Sequence, residues 1–237
     1  MVSEEVLPEL SPEDETFTPS EGLAVLHLFC KADGEIDKAA ISVAAKALTE
    51  PGYFLVPFSM LGHKAQIGFL AYGPNFVKLK QFQRDIERAG LEVVDSYVSM
   101  TEVSEYAKDL PADRRAPRLY PVLPPKGMYN ICFYGMSKQR GEKYNWYTLP
   151  YEEREKLMFG HGASGRAFAG RVIQLVTGST GVDDYEWGVT LFATKPDFLK
   201  EVVYTMRYDE GSALYGEFGP FYTGVIGSLE SVLENTF

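Results

Sequence analysis

The rhythm of apolar positions changes several times along the chain. Leu23–Cys30, Tyr53–Met60 and Gln66–Tyr72 are short apolar runs rich in branched and aromatic side chains, and each predicts a strand. Between and after them, Ile36–Leu48 and Asn75–Ala89 place their apolar residues at helical spacing, and Leu91–Met100 reads as a further strand. The second half runs through the same order. Tyr129–Tyr134 predicts a strand, Tyr151–Ala169 a helix, Val172–Thr177 and Tyr185–Ala193 strands, Asp197–Tyr208 a helix, and Leu214–Phe221 a last strand.

The recurrence extends to the residues themselves. Gln66-Ile-Gly-Phe-Leu-Ala-Tyr matches Gly188-Val-Thr-Leu-Phe-Ala-Thr, and the helix starts that follow, Pro74-Asn-Phe-Val-Lys and Pro196-Asp-Phe-Leu-Lys, share the same offset of 122 residues. The expectation is an α+β protein of two ferredoxin-like repeats, with antiparallel sheets packed together and helices outside. Residues 1–20, rich in Glu, Pro and Ser, read as a mobile arm, and 21–107 as the first repeat. The stretch 108–127 carries Pro111, Pro117, Pro121, Pro124 and Pro125 and reads as an extended connection, with 128–237 as the second repeat.

Composition narrows the possibilities. A chain of 237 residues, 45% hydrophobic with 15 Phe and 15 Tyr, can bury a large core. No apolar run is long enough to span a bilayer, and the acidic start Met1-Val-Ser-Glu-Glu lacks the features of a signal peptide, so a cytoplasmic protein is expected. A net charge of −10 repels phosphate backbones and argues against nucleic acid, although a few local cations can still hold an anionic ligand. Cys30 and Cys132 each lie in an apolar run and read as buried thiols.

Three places offer chemistry. His161 lies in Lys156-Leu-Met-Phe-Gly-His-Gly-Ala-Ser-Gly-Arg, on a helical face with Leu157, Ser164, Gly165 and Phe168. The flanking Gly160 and Gly162 each weaken a helix by roughly 1 kcal/mol relative to Ala. Their presence points to something flat and bulky close to the backbone, a planar macrocycle being one candidate; the plain alternative is a histidine on a loose helix. Gln174 places an amide between Val172 and Val176 on one strand face, where it bonds either the backbone or a polar ligand. Tyr134 ends a strand just before Lys138 and Arg140, cations able to hold a carboxylate, although a strand-end tyrosine also packs with no further role. Asn145-Trp-Tyr and Asp183-Asp-Tyr-Glu-Trp-Gly read as packing and turn residues. There is no phosphate-binding glycine loop, dinucleotide fingerprint or zinc-type cysteine spacing. Gly160-His-Gly-Ala-Ser-Gly falls within a helix, where a nucleophile elbow does not form.

Several dispersed stretches, taken together and in order, resemble the coproheme decarboxylase branch of the chlorite-dismutase-like family. They are Tyr129-Asn-Ile-Cys-Phe-Tyr-Gly-Met-Ser-Lys, Asn145-Trp-Tyr-Thr-Leu-Pro, Gly160-His-Gly-Ala-Ser-Gly-Arg, Val172-Ile-Gln-Leu-Val-Thr-Gly-Ser-Thr-Gly, Asp184-Tyr-Glu-Trp-Gly-Val and Met206-Arg-Tyr-Asp-Glu. The resemblance covers residues 20–226 and is strongest after 117. It implies a dimeric α+β barrel subunit, usually in a homopentamer, with His161 as the axial iron ligand, Gln174 on the distal side and Tyr134 as the catalytic tyrosine. Arg118, Tyr134, Gly135, Met136, Ser137, Lys138, Gln174 and Ser212 correspond to porphyrin-contacting positions. The chain departs from the family in a longer loop after Arg118 and in Gly135, where the family commonly has Pro.

The implied reaction uses hydrogen peroxide to decarboxylate two propionates of iron-coproporphyrin III, giving haem b by way of a three-propionate intermediate. The substrate brings its own iron. Tyr134 would relay an electron and a proton, and Lys138, Arg118 and Arg207 would neutralise carboxylates. Two other classes stay in view. A chlorite dismutase or haem peroxidase is disfavoured by Gln174 in the place of Arg. A non-enzymatic haem carrier or sensor would need His161 but not Tyr134.

Overall fold

The computed structural model describes residues 16–49 and 51–237. Strand β1 (Ala24–Ala32) is followed by helix α1 (Lys38–Leu48), β2 (Phe54–Met60), β3 (Ile67–Gly73), α2 (Phe76–Arg88) and β4 (Leu91–Thr101). The second repeat supplies β5 (Asn130–Lys138), α4 (Tyr151–Arg166), β6 (Val172–Gly178), β7 (Trp187–Ala193), α5 (Pro196–Met206) and β8 (Gly216–Ile226). A short helix α6 (Glu210–Tyr215) precedes β8, and α7 (Leu229–Thr236) follows it. The β-α-β-β-α-β order expected of each half is present.

The two sheets do not remain separate. They join edge to edge into one closed antiparallel barrel, in the order β1-β3-β2-β8-β5-β7-β6-β4. One seam pairs Phe58–Met60 of β2 with Gly224–Ile226 of β8. The other pairs only Met100 and Thr101 of β4 with Gly178 and Thr177 of β6. Side chains of successive strand residues point to opposite faces, so the strands divide their residues between the lumen and the outside. Val25, Phe29, Phe58, Leu70, Tyr72, Tyr97, Ile131, Phe133, Leu175 and Phe192 fill the lumen. Outside the first repeat, Leu26, Leu28, Phe69 and Ala71 pack beneath Ile41 and Leu48 of α1, Leu79, Phe82 and Ile86 of α2, and Val232 and Leu233 of α7. Outside the second, Cys132, Tyr134, Val189, Leu191 and Ala193 meet Leu199 and Val202 of α5. Both cysteines are buried and unpaired as expected, and burial pushes the Cys30 thiol up to about 12.

Two local expectations are corrected. The connection 108–127 is not extended throughout, because Ala112–Leu119 forms helix α3. Pro111 occupies the N-cap position, Asp113 lies in the first turn and Arg118 in the last, an order that suits the helix dipole. Pro117 lies beyond the first turn and removes the bond its N–H would give the Asp113 carbonyl, so α3 forms in spite of it. Leu214, expected in the last strand, belongs to α6, since Asp209 caps a helix there and delays β8 until Gly216. The first fifteen residues of the expected arm 1–20 lie outside the described residues; beyond them, the carbonyl of Phe17 accepts the N–H of Phe76 at 3.2 Å.

The lumen also holds polar groups. His27 is fully buried, its Nε2 lies 2.9 Å from Thr190 Oγ1, and its ring packs 4.1 Å from that of Phe133. Its Nδ1, and the hydroxyl of Ser99 on the neighbouring strand, are enclosed without a partner among the described residues. Burial lowers the His27 pKa from 6.5 to about 3. The unfolded chain therefore takes up a proton between those values that the folded chain does not, and stability falls as the pH drops from 6.5 towards 3. One such group contributes a slope of up to about 1.4 kcal/mol per pH unit. His27→Asn should reduce the pH slope of unfolding by that amount between about pH 4 and 6, measured by urea titration at several pH values. An unchanged slope would assign the acid sensitivity to other groups.

Candidate functional site

Helix α4 differs from the other long helices. Its apolar and polar residues follow no face, and none of its side chains is buried. It packs chiefly on α6 and α5 rather than on the sheet. On β6 the consequence is visible. Gln174 and Val176 face outward, opposite Leu191 and Val189, and both are exposed where the other strands of this face are covered. An open cleft is left over β6 at Gln174 and Val176, while the outer faces of β7 and β5 beside it are buried under α5. The glycines of α4 fit this picture. A Cβ at Gly160 would meet no atom within 4 Å, and one at Gly162 or Gly165 would reach only the side-chain ends of Arg166 and Met206 at 3.4 Å. Nothing within the described chain requires glycine there.

His161, on α4, is partly exposed. Its Nδ1 lies 2.8 Å from Asp209 Oδ2 and 3.3 Å from Ser212 Oγ. A carboxylate only accepts hydrogen bonds, so Nδ1 carries the proton and donates it; in the neutral ring Nε2 is then the nitrogen with the lone pair. No described residue bonds Nε2. Asp209 is also the N-cap of α6, its Oδ1 accepting the Gly211 N–H at 3.1 Å. Burial pushes the Asp209 carboxyl up, but hydrogen bonds from His161, Ser212 and Gly211 outweigh that and hold it below the usual range. One side chain thus starts a helix and orients the imidazole. Such a carboxylate–histidine pair is the usual support for a metal-bound histidine.

Tyr134 lies on the same outer face as Gln174, one rung along and two strands across, through Val189 and Leu191 of β7. Its ring stacks on Phe221 at 4.5 Å and tilts against Phe218 at 5.9 Å. Its hydroxyl makes no hydrogen bond to the described residues. Burial raises the phenol above its ordinary pKa, with the nearby Arg207 guanidinium opposing, so the hydroxyl stays protonated at neutral pH. Arg207 lies over the Phe218 ring at 4.1 Å, and no described carboxylate pairs with it.

Alternation splits the run Tyr134–Lys138. Met136 and Lys138 share the outward face of Tyr134. Gly135 and Ser137 point the other way: a Cβ at Gly135 would strike the Tyr185 ring at 2.5 Å, and Ser137 Oγ accepts the Glu186 N–H at 3.2 Å. The side of the strand they occupy removes both from side-chain contact with the cleft, against the expectation from the continuous motif. Lys138 is buried, donates to the Gly211 carbonyl at 3.1 Å and lies 4.3 Å from the centre of the Trp146 ring. Burial lowers its pKa to about 8, against the carboxylates of Asp209 and Glu186, which raise it. Arg118 is not drawn in. Its Nη1 folds back to the Arg114 carbonyl at 2.5 Å, and it makes no hydrogen bond or ion pair with Tyr134, Lys138, Gln174 or His161. Ser212, buried beside His161, supports the histidine.

Of the other histidines, His27 is enclosed in the lumen and His63 lies in the exposed turn after β2, leaving His161 as the histidine of the cleft. Asp209 was not among the expected site residues. Its signal is local: an Asp before Glu-Gly-Ser reads as an N-cap. The 48-residue separation from His161 conceals the pairing.

Fold and cleft define an α+β barrel protein whose second repeat holds a histidine-bearing helix away from its sheet. Residues 35–227 match the family model for chlorite dismutase, and the chain belongs to that family. A coproheme decarboxylase of Staphylococcus saprophyticus is 44% identical over 187 residues, 74% of each chain. One from Staphylococcus carnosus is 43% identical over 192 residues, 76% of this chain and 75% of that one. The solved structure of a haem-binding protein from Thermus thermophilus superposes with a TM-score of 0.81 at 34% identity, covering 91% of this chain and 95% of that one.

The Asp209 pairing can be tested without any ligand. Asp209→Ala removes the cap of α6, with an expected loss of about 1 kcal/mol. The free imidazole should then favour the Nε2–H form, read from 15N chemical shifts of His161. Persistence of the Nδ1–H form would show that Asp209 does not set the tautomer.

Proposed function

We propose that the cleft binds iron-coproporphyrin III and that the chain uses hydrogen peroxide to convert two of its propionates to vinyl groups, giving haem b. The observation that carries this reading is the unburied helix α4 together with the uncovered outer face of β6 at Gln174 and Val176. Helices gain most of their stability by burying a face, and α4 has none to bury until something flat fills the gap. The donor set suits an iron porphyrin. A single neutral imidazole is enough where the porphyrin nitrogens supply the other ligands. Among the described residues no group of three His, Cys, Asp or Glu could hold a bare metal ion.

In this reading His161 offers Nε2 to the substrate's iron, and Asp209 fixes the ring by accepting its Nδ1–H. Gln174 presents an uncharged amide from the opposite wall. The substrate iron and peroxide supply the oxidising power. Tyr134 relays an electron and a proton from the propionate beside it, and its unbonded hydroxyl and lack of a carboxylate neighbour suit that role. For each propionate, one peroxide is consumed, and a vinyl group, carbon dioxide and two waters result. Lys138 and Arg207 neutralise propionates; Arg118 would have to unfold from its own helix to join them. Residues 128–237 form the porphyrin-binding unit. A homopentamer in the cytoplasm completes the proposal. Exposed Leu61, Val122, Tyr129 and Val225, away from the cleft, are suited to contacts between copies. Among the described residues no helix is long and apolar enough to cross a membrane.

Tyr134→Phe keeps the ring on Phe221 and removes only the hydroxyl. It should bind iron-coproporphyrin normally, while product formation with peroxide falls by on the order of 100-fold. Near wild-type release of three- and two-propionate products would overturn the relay. His161→Ala should abolish the imidazole-ligated absorption spectrum of the bound substrate, and an unchanged spectrum would move the ligand elsewhere. Gln174→Ala should retain substrate affinity but alter the binding of small anions to the iron.

A further inference from the structure

Glu186 is a buried carboxylate outside the cleft, in a segment that reads as ordinary turn and packing residues. Its side chain is 6% exposed. Oε2 accepts the backbone N–H of Lys138 at 3.0 Å, and Oε1 accepts from Arg140 Nη2 at 2.5 Å. The nearby Tyr147 hydroxyl further favours its ionised form. Burial alone would raise its pKa, but Tyr147 and the bonds from Lys138 and Arg140 bring it below the usual range, so it remains ionised. Its own N–H is within bonding reach of Met136 O and Ser137 Oγ, and its carbonyl accepts the Ser179 N–H at 2.9 Å.

These partners have a pattern. Lys138 ends β5 and Arg140 lies in the loop that leads to α4, so Glu186 binds the start of that loop directly. The Trp146 N–H to Gln139 carbonyl bond, at 2.9 Å, ties the later part of the loop to the same point. Trp146 is buried against Tyr215 at 5.4 Å between ring centres. Trp146 is the surface on which the Lys138 ammonium rests. That ammonium spends one of its three N–H groups on the Gly211 carbonyl. The others are free for a carboxylate.

We propose that Glu186 is a positioning residue for substrate binding: by clamping the 138–147 loop it fixes the backbone of Lys138 and the Trp146 ring, and so aims the Lys138 ammonium at a substrate carboxylate. The inference rests on the reading of Lys138 as a propionate partner. The clamp acts through geometry: the carboxylate touches the amide of Lys138 and leaves its ammonium to the substrate. An exposed Arg–Glu pair contributes little by itself. Here the carboxylate is enclosed, and its loss leaves the buried Lys138 N–H unpaired, while exposed Arg140 turns to water.

The test is a double-mutant cycle read by absorption titration of iron-coproporphyrin into Glu186→Ala, Lys138→Met and the pair. Loss of a charged hydrogen-bond acceptor should weaken substrate binding by about tenfold in Glu186→Ala. Lys138→Met should weaken it by a similar factor, and the double variant no further than Lys138→Met alone. Glu186→Gln, which keeps an acceptor for the Lys138 amide, should recover most of the affinity. It also keeps the test open if Glu186→Ala fails to fold. Weakening in Lys138→Met together with full affinity in Glu186→Gln and Glu186→Ala, or with losses that add, would overturn the positioning role and leave the reading of Lys138 intact. Full affinity in Lys138→Met would remove that reading and this inference with it.

Discussion

Alternation on a closed sheet is the constraint from which the rest of the second repeat follows. Once eight strands form a ring, each side chain points into the lumen or away from it, and a neighbour two residues along must do the same. Phe133 and Leu175 go inside, and Tyr134, Gln174 and Val176 go outside. A tyrosine from β5 and an amide from β6 can share one face because β7, between them, contributes Val189 and Leu191 to it. The same rule turns Gly135 and Ser137 away from their neighbours. It also explains the glycine: the Tyr185 ring occupies the space that a side chain at 135 would need.

The cleft exists because the two repeats use their helices differently. In the first, α1 and α2 bury Ile41, Leu48, Leu79, Phe82 and Ile86 against the sheet. In the second, α5 does so with Leu199 and Val202, while α4 leans on α6 and α5. Asp209 links that arrangement to chemistry. Its two oxygens serve a helix start and an imidazole, so α6 cannot fray without releasing His161. Lys138 enters the same neighbourhood through the Gly211 carbonyl, two residues beyond Asp209 on α6.

Much of this was legible in the amino-acid order, for definite reasons. The repeat at 122 residues and the shift between strand and helix periods come from burial, which a sequence records position by position. His161, Gln174 and Tyr134 each admit a plain packing reading taken singly; the resemblance of several motifs in order is what singles them out. The pairings were not legible. Nothing near residue 161 announces Asp209, and nothing near Lys138 announces Glu186, because a closed barrel brings together residues 48 positions apart in both cases. Helix α3 was hidden by its prolines: Pro111 sits at the N-cap, where a helix accepts it, but Pro117 lies inside and argues against a helix. Gly135 and Ser137 were grouped with Tyr134 by adjacency in a motif, although strand alternation separates them.

The unburied helix has a consequence for how the protein holds itself together during turnover. A segment without a face in the core opens at low free energy, so its amides should exchange faster than those of the barrel strands. A ligand that fills the cleft would bind the closed form and slow that exchange. Departure of the product would return α4 to its loosely held condition. The most weakly anchored helix of the second repeat is thus the one bearing the imidazole, and occupancy of the cleft and protection of its backbone amides rise and fall together.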